Sequence, residues 1–454
     1  MATILFFIDE FTGHIHATYK LAHDLCQRGH TVIYLGTPKT GQQVRKQGFA
    51  FEEAPFLHSL MRISKLPRPN RAGRLPFRQQ LPEAYRQYRM LREESARILH
   101  DLHSIRSITD ALVSRLKPDL LIFDPFYLID AIAFYPYHIP TTVLSTKPLL
   151  DRDPAVPPYT SSLIPHRSAF SPFLLQLVWL HCHTKFLLYR LQMWLRTILI
   201  GTSPYDLARR LAHATGFPLR QELALRGVSL DFSLKSIPEL VLNSEAFDFP
   251  RKRALRQNVF YLGPCVHLER EEPAFPWDSL PPGNKLIYCS IGTLPPWRGG
   301  LEADFLRRVL DAFRLRKSYT LVLSSTIELP GPLPENVFIA PFVPQLQLLR
   351  RADLMISHGG ANSVKECILL GVPMLIYPRQ ADQPGNAARV VYHGLGLRGN
   401  IRKESSEEIA QKVDLLLENS SYRTNLERMR QRFLQEQASL RGVEIVEAFL
   451  KEAD

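Results

Sequence analysis

Two places in this 454-residue sequence bring together residue types that can bind and react. The first is His358-Gly359-Gly360-Ala361-Asn362-Ser363-Val364-Lys365-Glu366, which follows the apolar run Leu354 to Ser357 and opens a helical pattern reaching Gly371. Small residues let backbone approach a ligand, and the free N–H groups and dipole at a helix start attract a diphosphate. That is an anion site built without metal. Two glycines alone would mark a tight strand-to-helix turn, but His, Asn, Ser and Glu at these offsets carry the stretch beyond that reading. Ser290-Ile291-Gly292-Thr293 also follows an apolar run, although Gly-Thr after a strand is commonly a plain turn. The second place joins His14, in Thr12-Gly13-His14-Ile15-His16, with Asp124, which ends the apolar run Leu120 to Phe123. Ligand clefts open at such strand ends in doubly wound sheets, while a lone His in a loop is more often a bystander. His14 and His16 have a metal-ligand spacing, but no third ligand accompanies them and no metal is expected. Asp151-Arg152-Asp153 lies in a Pro-rich loop and reads as solvated.

These residues need a scaffold that presents strand ends. The first half alternates short apolar runs with helical patterns, the signature of parallel βαβ units. Strands are predicted at Ile4 to Ile8, Thr31 to Leu35, Phe49 to Phe51, Leu120 to Phe123 and Thr141 to Leu144. The second half repeats the pattern at Leu286 to Ile291, Thr320 to Leu323, Val337 to Ala340, Leu354 to Ser357 and Met374 to Tyr377. Two Rossmann-like α/β domains are therefore expected, over 1–245 and 285–454, with a Pro-rich linker region over 246–284. Helices are predicted across Ser405 to Gln437 and from Gly442, and these terminal helices are candidates to pack back on the first domain.

In the second domain Phe342-Val343-Pro344-Gln345, His358-Gly359-Gly360-Ala361-Asn362-Ser363, Glu366, Gly371-Val372-Pro373 and Asp382-Gln383-Pro384-Gly385-Asn386-Ala387 stand in one order and spacing. That array resembles the donor signature of the family-1 glycosyltransferases of the GT-B fold, the UDP-glycosyltransferase group with plant secondary-product and bacterial macrolide-type enzymes. The resemblance covers nearly the whole chain. It implies two Rossmann-like domains facing each other across a cleft, the first binding the acceptor and the second the nucleotide sugar. It assigns His358 to the diphosphate, with Asn362, Ser363 and the Gly360 backbone beside it, and Glu366 to the ribose hydroxyls with Gln345 assisting. Asp382 and Gln383 would hold sugar hydroxyls, and Ser290, Gly292 and Thr293 match a loop that approaches the phosphates. The uracil would stack at Phe342, beside Val343, where the family usually has Trp and offers more ring area. His14 takes the place of the catalytic base and Asp124 that of its carboxylate partner. An acceptor hydroxyl is a weak nucleophile, so such a base removes its proton as the bond to the anomeric carbon forms, and the centre inverts. No cofactor is implied, the UDP-sugar being a co-substrate. Many relatives have Asn-Pro shortly after Gly-His, where this chain has His16-Ala17, which bears on the helix start rather than the base. An epimerase of the same fold and a non-catalytic nucleotide-sugar-binding protein are the alternatives.

Composition fits and narrows this reading. A chain of this length exceeds the roughly 250 to 300 residues of a single core, and 45% hydrophobic with 22% charged residues is the balance of a packed protein. The net charge of +12 favours anionic partners such as phosphates, nucleic acid or an anionic membrane surface without choosing among them, and the resemblance implies a nucleotide sugar and no nucleic acid. Five scattered cysteines without CxxC spacing point to a reducing cytoplasm. Ile4 to Ile8 lacks a basic n-region and is followed by Asp9 and Glu10, so it reads as a strand, not a signal peptide. Within the insertion 154–205, Pro154 to Tyr205 holds no Asp or Glu, yet carries Arg167, Lys185, Arg190 and Arg196 among Trp179, Trp194 and many leucines. Two readings stand: an apolar face packed on the domain beside a lipophilic acceptor, or peripheral contact with an anionic membrane.

Overall fold

The computed structural model describes residues 1–54, 77–149, 151–165, 170–201, 203–223, 234–292, 300–314, 316–329 and 331–451. Short runs rich in Ile, Leu, Val and Phe form parallel strands that are covered by helices on both faces, which is why they carry almost no polar alternation. The first sheet contains β1 (Thr3–Phe7), β2 (Thr31–Gly36), β3 (Ala50–Glu53), β4 (Leu120–Phe123), β5 (Thr141–Ser145), β6 (Glu239–Val241) and β7 (Val259–Tyr261), in the order β3-β2-β1-β4-β5-β6-β7. The second contains β8 (Lys285–Ser290), β9 (Tyr319–Ser324), β10 (Val337–Ala340), β11 (Leu354–Ser357), β12 (Met374–Ile376) and β13 (Gly396–Arg398), in the order β10-β9-β8-β11-β12-β13. Successive residues serve opposite cores: Leu5, Phe7, Leu121 and Phe123 on one side, Ile4, Phe6, Leu120 and Ile122 on the other.

Strand order reverses at β1 beside β4 and again at β8 beside β11. At such a point the connections leave toward opposite faces and a crevice opens at the carboxyl ends of the strands. His14 follows β1 and Asp124 follows β4, while Gly292 follows β8 and His358 follows β11. Topology alone therefore brings these residues to two crevices. The crevices face each other, since Asn362 Nδ2 donates to Gly13 O at 2.6 Å.

Three features depart from the sequence expectation. β7 belongs to the first sheet although it lies within the span 246–284 read as linker. β6, β7 and β13 are three-residue strands, too short to show a period. The loop Asp151-Arg152-Asp153 is solvated only in part: Arg152 is exposed, but Asp153 is fully buried and its carboxylate accepts from the backbone N–H groups of Ala155, Lys252 and Arg253 at 2.7, 3.0 and 2.8 Å. Asp151 adds an ion pair to Arg256 at 2.7 Å. This acidic loop clamps the segment after β6 to the one after β5.

The domains share much buried contact. Arg389, in helix Gln383–Tyr392, is fully buried and donates twice to Asp248 Oδ1, at 2.9 and 2.6 Å. Lys365 Nζ donates to Leu242 O at 2.9 Å, with burial lowering its pKa to about 8. The last helix, Arg441–Lys451, returns to the first domain, where Val443 and Val446 enter the core that holds Ile4 and Leu21. Glu447 fixes it there through Arg28 and His30, at 3.1 and 3.3 Å.

The insertion forms helix Ser171–Ile200, which packs against helices Phe77–Leu116 and Pro204–Thr215. Trp179 is buried and donates to Val156 O at 3.0 Å, whereas Trp194 is 60% exposed. Among the described residues no helix is long and apolar enough to cross a membrane.

Candidate active site

His14 lies in the first turn of helix Thr12–Gln27, so the helix begins at Thr12 without the family's Pro and without a side-chain cap. Its Nδ1 is 2.5 Å from Asp124 Oδ2, and its ring stacks on Phe126 with centroids 5.1 Å apart. Asp124 is buried at the end of β4, and its other oxygen accepts from Phe126 N at 2.9 Å. Burial disfavours the charged imidazole, but the charge of Asp124 and its hydrogen bond outweigh this and raise the His14 pKa above 6.5. With Nδ1 engaged, Nε2 is the nitrogen left to accept a proton.

Across the cleft, helix Ala361–Leu370 starts at Gly360 with no side-chain cap, so its first N–H groups are available to an anion. The His358 ring fits between two glycines. A Cβ on Gly292 would lie 2.6 Å from Cε1, and one on Gly360 would lie 2.7 Å from Nε2. Gly292 also has φ of +85°, which L side chains rarely adopt. Burial lowers the His358 pKa to about 4, with nearby Asp382 opposing and Arg379 reinforcing the shift. His358 is thus a neutral hydrogen-bonding group, and its buried Nδ1 has no partner among the described residues. Fixed positive potential at this crevice comes from the helix start, not from the imidazole.

Glu366 is buried one helical turn further in. Its Oε1 accepts from Arg270 at 2.6 Å and its Oε2 from Gln345 Nε2 at 2.5 Å. Gln345 is aligned by Tyr288, whose hydroxyl donates to Gln345 Oε1 at 3.1 Å, and it also reaches Ser363 Oγ at 3.3 Å. Burial opposes ionisation of Glu366, but Arg270 holds its pKa below 4.5. The same Arg270 and burial push His16 down to about 4. The two histidines of the HxH motif therefore split, His14 toward Asp124 and His16 toward Arg270 and Glu366.

Gln383 is buried and its Oε1 accepts from the N–H groups of Arg379 and Gln380 at 2.9 and 3.0 Å, shaping the loop that carries Asp382. Asp382 Oδ2 accepts from Asn386 Nδ2 at 2.7 Å, and the same amide donates to Gly359 O at 2.9 Å. Asn362 is spent on Gly13. Phe342 is 73% exposed and Val343 packs partly into the core below it. Ser290 Oγ accepts from Gly292 N at 3.4 Å, and Thr293 lies outside the described residues.

Sequence reasoning missed Arg270. It stands in Glu269-Arg270-Glu271-Glu272, which reads as a solvated charge cluster, yet its partner Glu366 is 96 residues away. Glu272 was missed with it. Its carboxylate accepts from Leu346 N and Gln347 N, at 2.9 and 3.1 Å, and thereby steadies the short helix Gln345–Leu349.

The family described as erythromycin biosynthesis protein CIII-like, C-terminal domain, matches residues 321–449. A Bacillus subtilis (strain 168) protein described as an uncharacterized UDP-glucosyltransferase is 30% identical over 187 residues, 40% of this chain and 46% of the relative. The chain thus spans less than half the length of that relative. Zeaxanthin glucosyltransferase of Pseudescherichia vulneris is 24% identical over 449 residues, covering 96% of this chain and 95% of the relative. The solved structure of a spinosyn rhamnosyltransferase complexed with thymidine diphosphate superposes with a TM-score of 0.58 at 15% identity, covering 98% of this chain and 100% of that one. The chain has the GT-B fold, and these likenesses support a family-1 glycosyltransferase. In this GT-B chain the family match lies on the half that contains Phe342, His358 and Asp382. The His14–Asp124 pair lies outside that match and rests on its own geometry.

Proposed function

We propose that this protein is an inverting, metal-independent glycosyltransferase that moves a hexose, glucose in the first instance, from a UDP-sugar to a hydroxyl of a small lipophilic acceptor. The observation that carries the reading is the His14–Asp124 pair facing an uncapped helix start across the Gly13–Asn362 contact. In the proposed step His14 Nε2 takes the acceptor proton as the acceptor oxygen bonds to the anomeric carbon. The bond from that carbon to the diphosphate breaks in line, and the pair of electrons leaves with UDP. Asp124 stabilises the imidazolium, and the N–H groups at Gly360 to Ser363 meet the growing charge on the diphosphate. Glu366, with lone pairs remaining on each oxygen, accepts from ribose hydroxyls. The likeness to a glucosyltransferase named for zeaxanthin supports a lipophilic acceptor.

An acceptor screen with UDP-glucose, read by mass shift, tests the activity. Expected are products carrying one hexose, transfer that persists in excess EDTA, and faster turnover with UDP-sugars than with dTDP-sugars. His14→Ala should abolish transfer while calorimetry still registers UDP binding. Absence of transfer with every UDP-sugar and acceptor, or full activity of His14→Ala, would overturn the reading.

A further inference from the structure

We propose that the outer face of helix Ser171–Ile200 is a docking surface for an anionic lipid bilayer, on which the helix lies parallel to the membrane plane. The helix carries two apolar stripes instead of one. The inner stripe, with Leu175 and Trp179 buried and Phe186, Tyr189 and Met193 half-buried, accounts for its seating on the first domain. The outer stripe consists of Leu177 and Leu180, then Leu187, Leu191, Trp194 and Ile198 at steps of three or four residues, all exposed, with exposed Thr184 between the two sets. Leu188 and Leu195 widen it, and both are exposed. A helix of this length extends about 45 Å, and an apolar band along it with a single polar break at Thr184 exceeds the scattered leucines normal for a protein surface.

Charge selects the occupant. At about 100° per residue, exposed Lys185 falls to one side of the outer stripe and exposed Arg190 to the other. Between Pro154 and Tyr205 there is no Asp or Glu. A second copy pairing through this helix would set cations against cations, whereas phosphate headgroups would give both flanks partners while the leucines and Trp194 reach the acyl boundary. The Trp179 anchor and the Arg152 to His183 contact at 3.5 Å hold the helix to the segment that leads away from β5. Segment 154–165 reaches the second domain, where Arg398 Nη1 donates to Ser162 O at 2.5 Å. The bilayer side of the molecule is therefore tied to the wall of the cleft.

Flotation of the full-length protein with phosphatidylcholine vesicles, with and without phosphatidylglycerol, tests this independently of any transfer assay. The expected result is binding to the anionic vesicles that weakens as salt rises. Lys185→Gln with Arg190→Gln should lower that binding roughly 25-fold, and Leu187→Glu with Leu191→Glu should abolish it. Both double variants should retain UDP affinity and thermal stability, because all four side chains are exposed. The blue shift in tryptophan emission on adding vesicles should disappear in Trp194→Phe. Lack of vesicle binding at low salt, binding indifferent to both double variants, or an emission shift retained in Trp194→Phe would overturn the proposal. So would a wild-type dimer, measured by light scattering, that Leu187→Glu with Leu191→Glu converts to monomer without any vesicle binding, since a second copy would then cover the face.

Discussion

The short Nδ1 contact to Asp124 makes His14 a stronger base than a free imidazole, and it also sets the pH at which that base works. The proposed step requires neutral His14, so kcat/KM should rise with pH through a value above 6.5. Asp124→Asn removes the dominant raising influence while burial remains. The rising limb should move to lower pH, and kcat should fall roughly 100-fold or more at its plateau. An unshifted limb in the pH profile would separate the two residues. On the other wall, Arg270 is the partner that keeps Glu366 ionised in a buried place. Arg270→Met should cost about 3 to 5 kcal/mol of stability by denaturant titration, because it leaves a buried carboxylate without its cation. Adding Glu366→Gln should restore most of that loss yet leave UDP affinity weak. Gly292→Ala asks for a Cβ where the His358 ring sits and for a backbone conformation that alanine resists. Its expected signature is weakened UDP binding by calorimetry with kcat less affected.

Among the elements, legibility in the sequence followed the length of the run. Leu120 to Phe123 and Leu354 to Ser357 are apolar throughout and were placed to the residue, because a strand buried on both faces must look that way. Glu239–Val241, Val259–Tyr261 and Gly396–Arg398 have three residues each, and the first and last include a charge, so no period could reveal them. His14, Asp124 and His358 could be placed beside strand ends because those runs are readable in the sequence. Arg270 and the buried Asp153 were not, because their partners are fixed by tertiary contacts about 100 residues away. Asp248 and Arg389 are a further long-range pair of this kind, joining the segment after β6 to helix Gln383–Tyr392. Burial opposes the Asp248 charge, but Arg389 and Arg251 hold its pKa below 3.8. A carboxylate depressed on folding contributes stability above its ordinary pKa and loses it as pH falls through the folded value. The melting-temperature gap between the wild type and Asp248→Asn should therefore be full near neutrality and close in acid below 3.8. A gap that is constant across this range would show that the pair is not ionic.

At the scale of the molecule, a topological reversal in each sheet points two crevices at one another, and the ties that hold them in register include Arg389 to Asp248, Lys365 to Leu242, and the returning helix Arg441–Lys451. Val443→Glu should test the last of these. A charge in the core beside Leu21 and Ile4 should lower the stability of the first domain by several kcal/mol, roughly the cost of burying an unpaired charge, although the substitution is far along the sequence from that domain. The threading of Val443 and Val446 into that core bears on synthesis as well. On a ribosome, N-terminal domains generally fold as they emerge. Here one face of the first sheet stays uncovered where helix Arg441–Lys451 belongs until the second domain has been made. The nascent chain must keep that gap from aggregating throughout translation of the second domain, and a chimera that exchanges C-terminal halves at the connection after β7 would leave its N-terminal half to be sealed by a stranger's last helix.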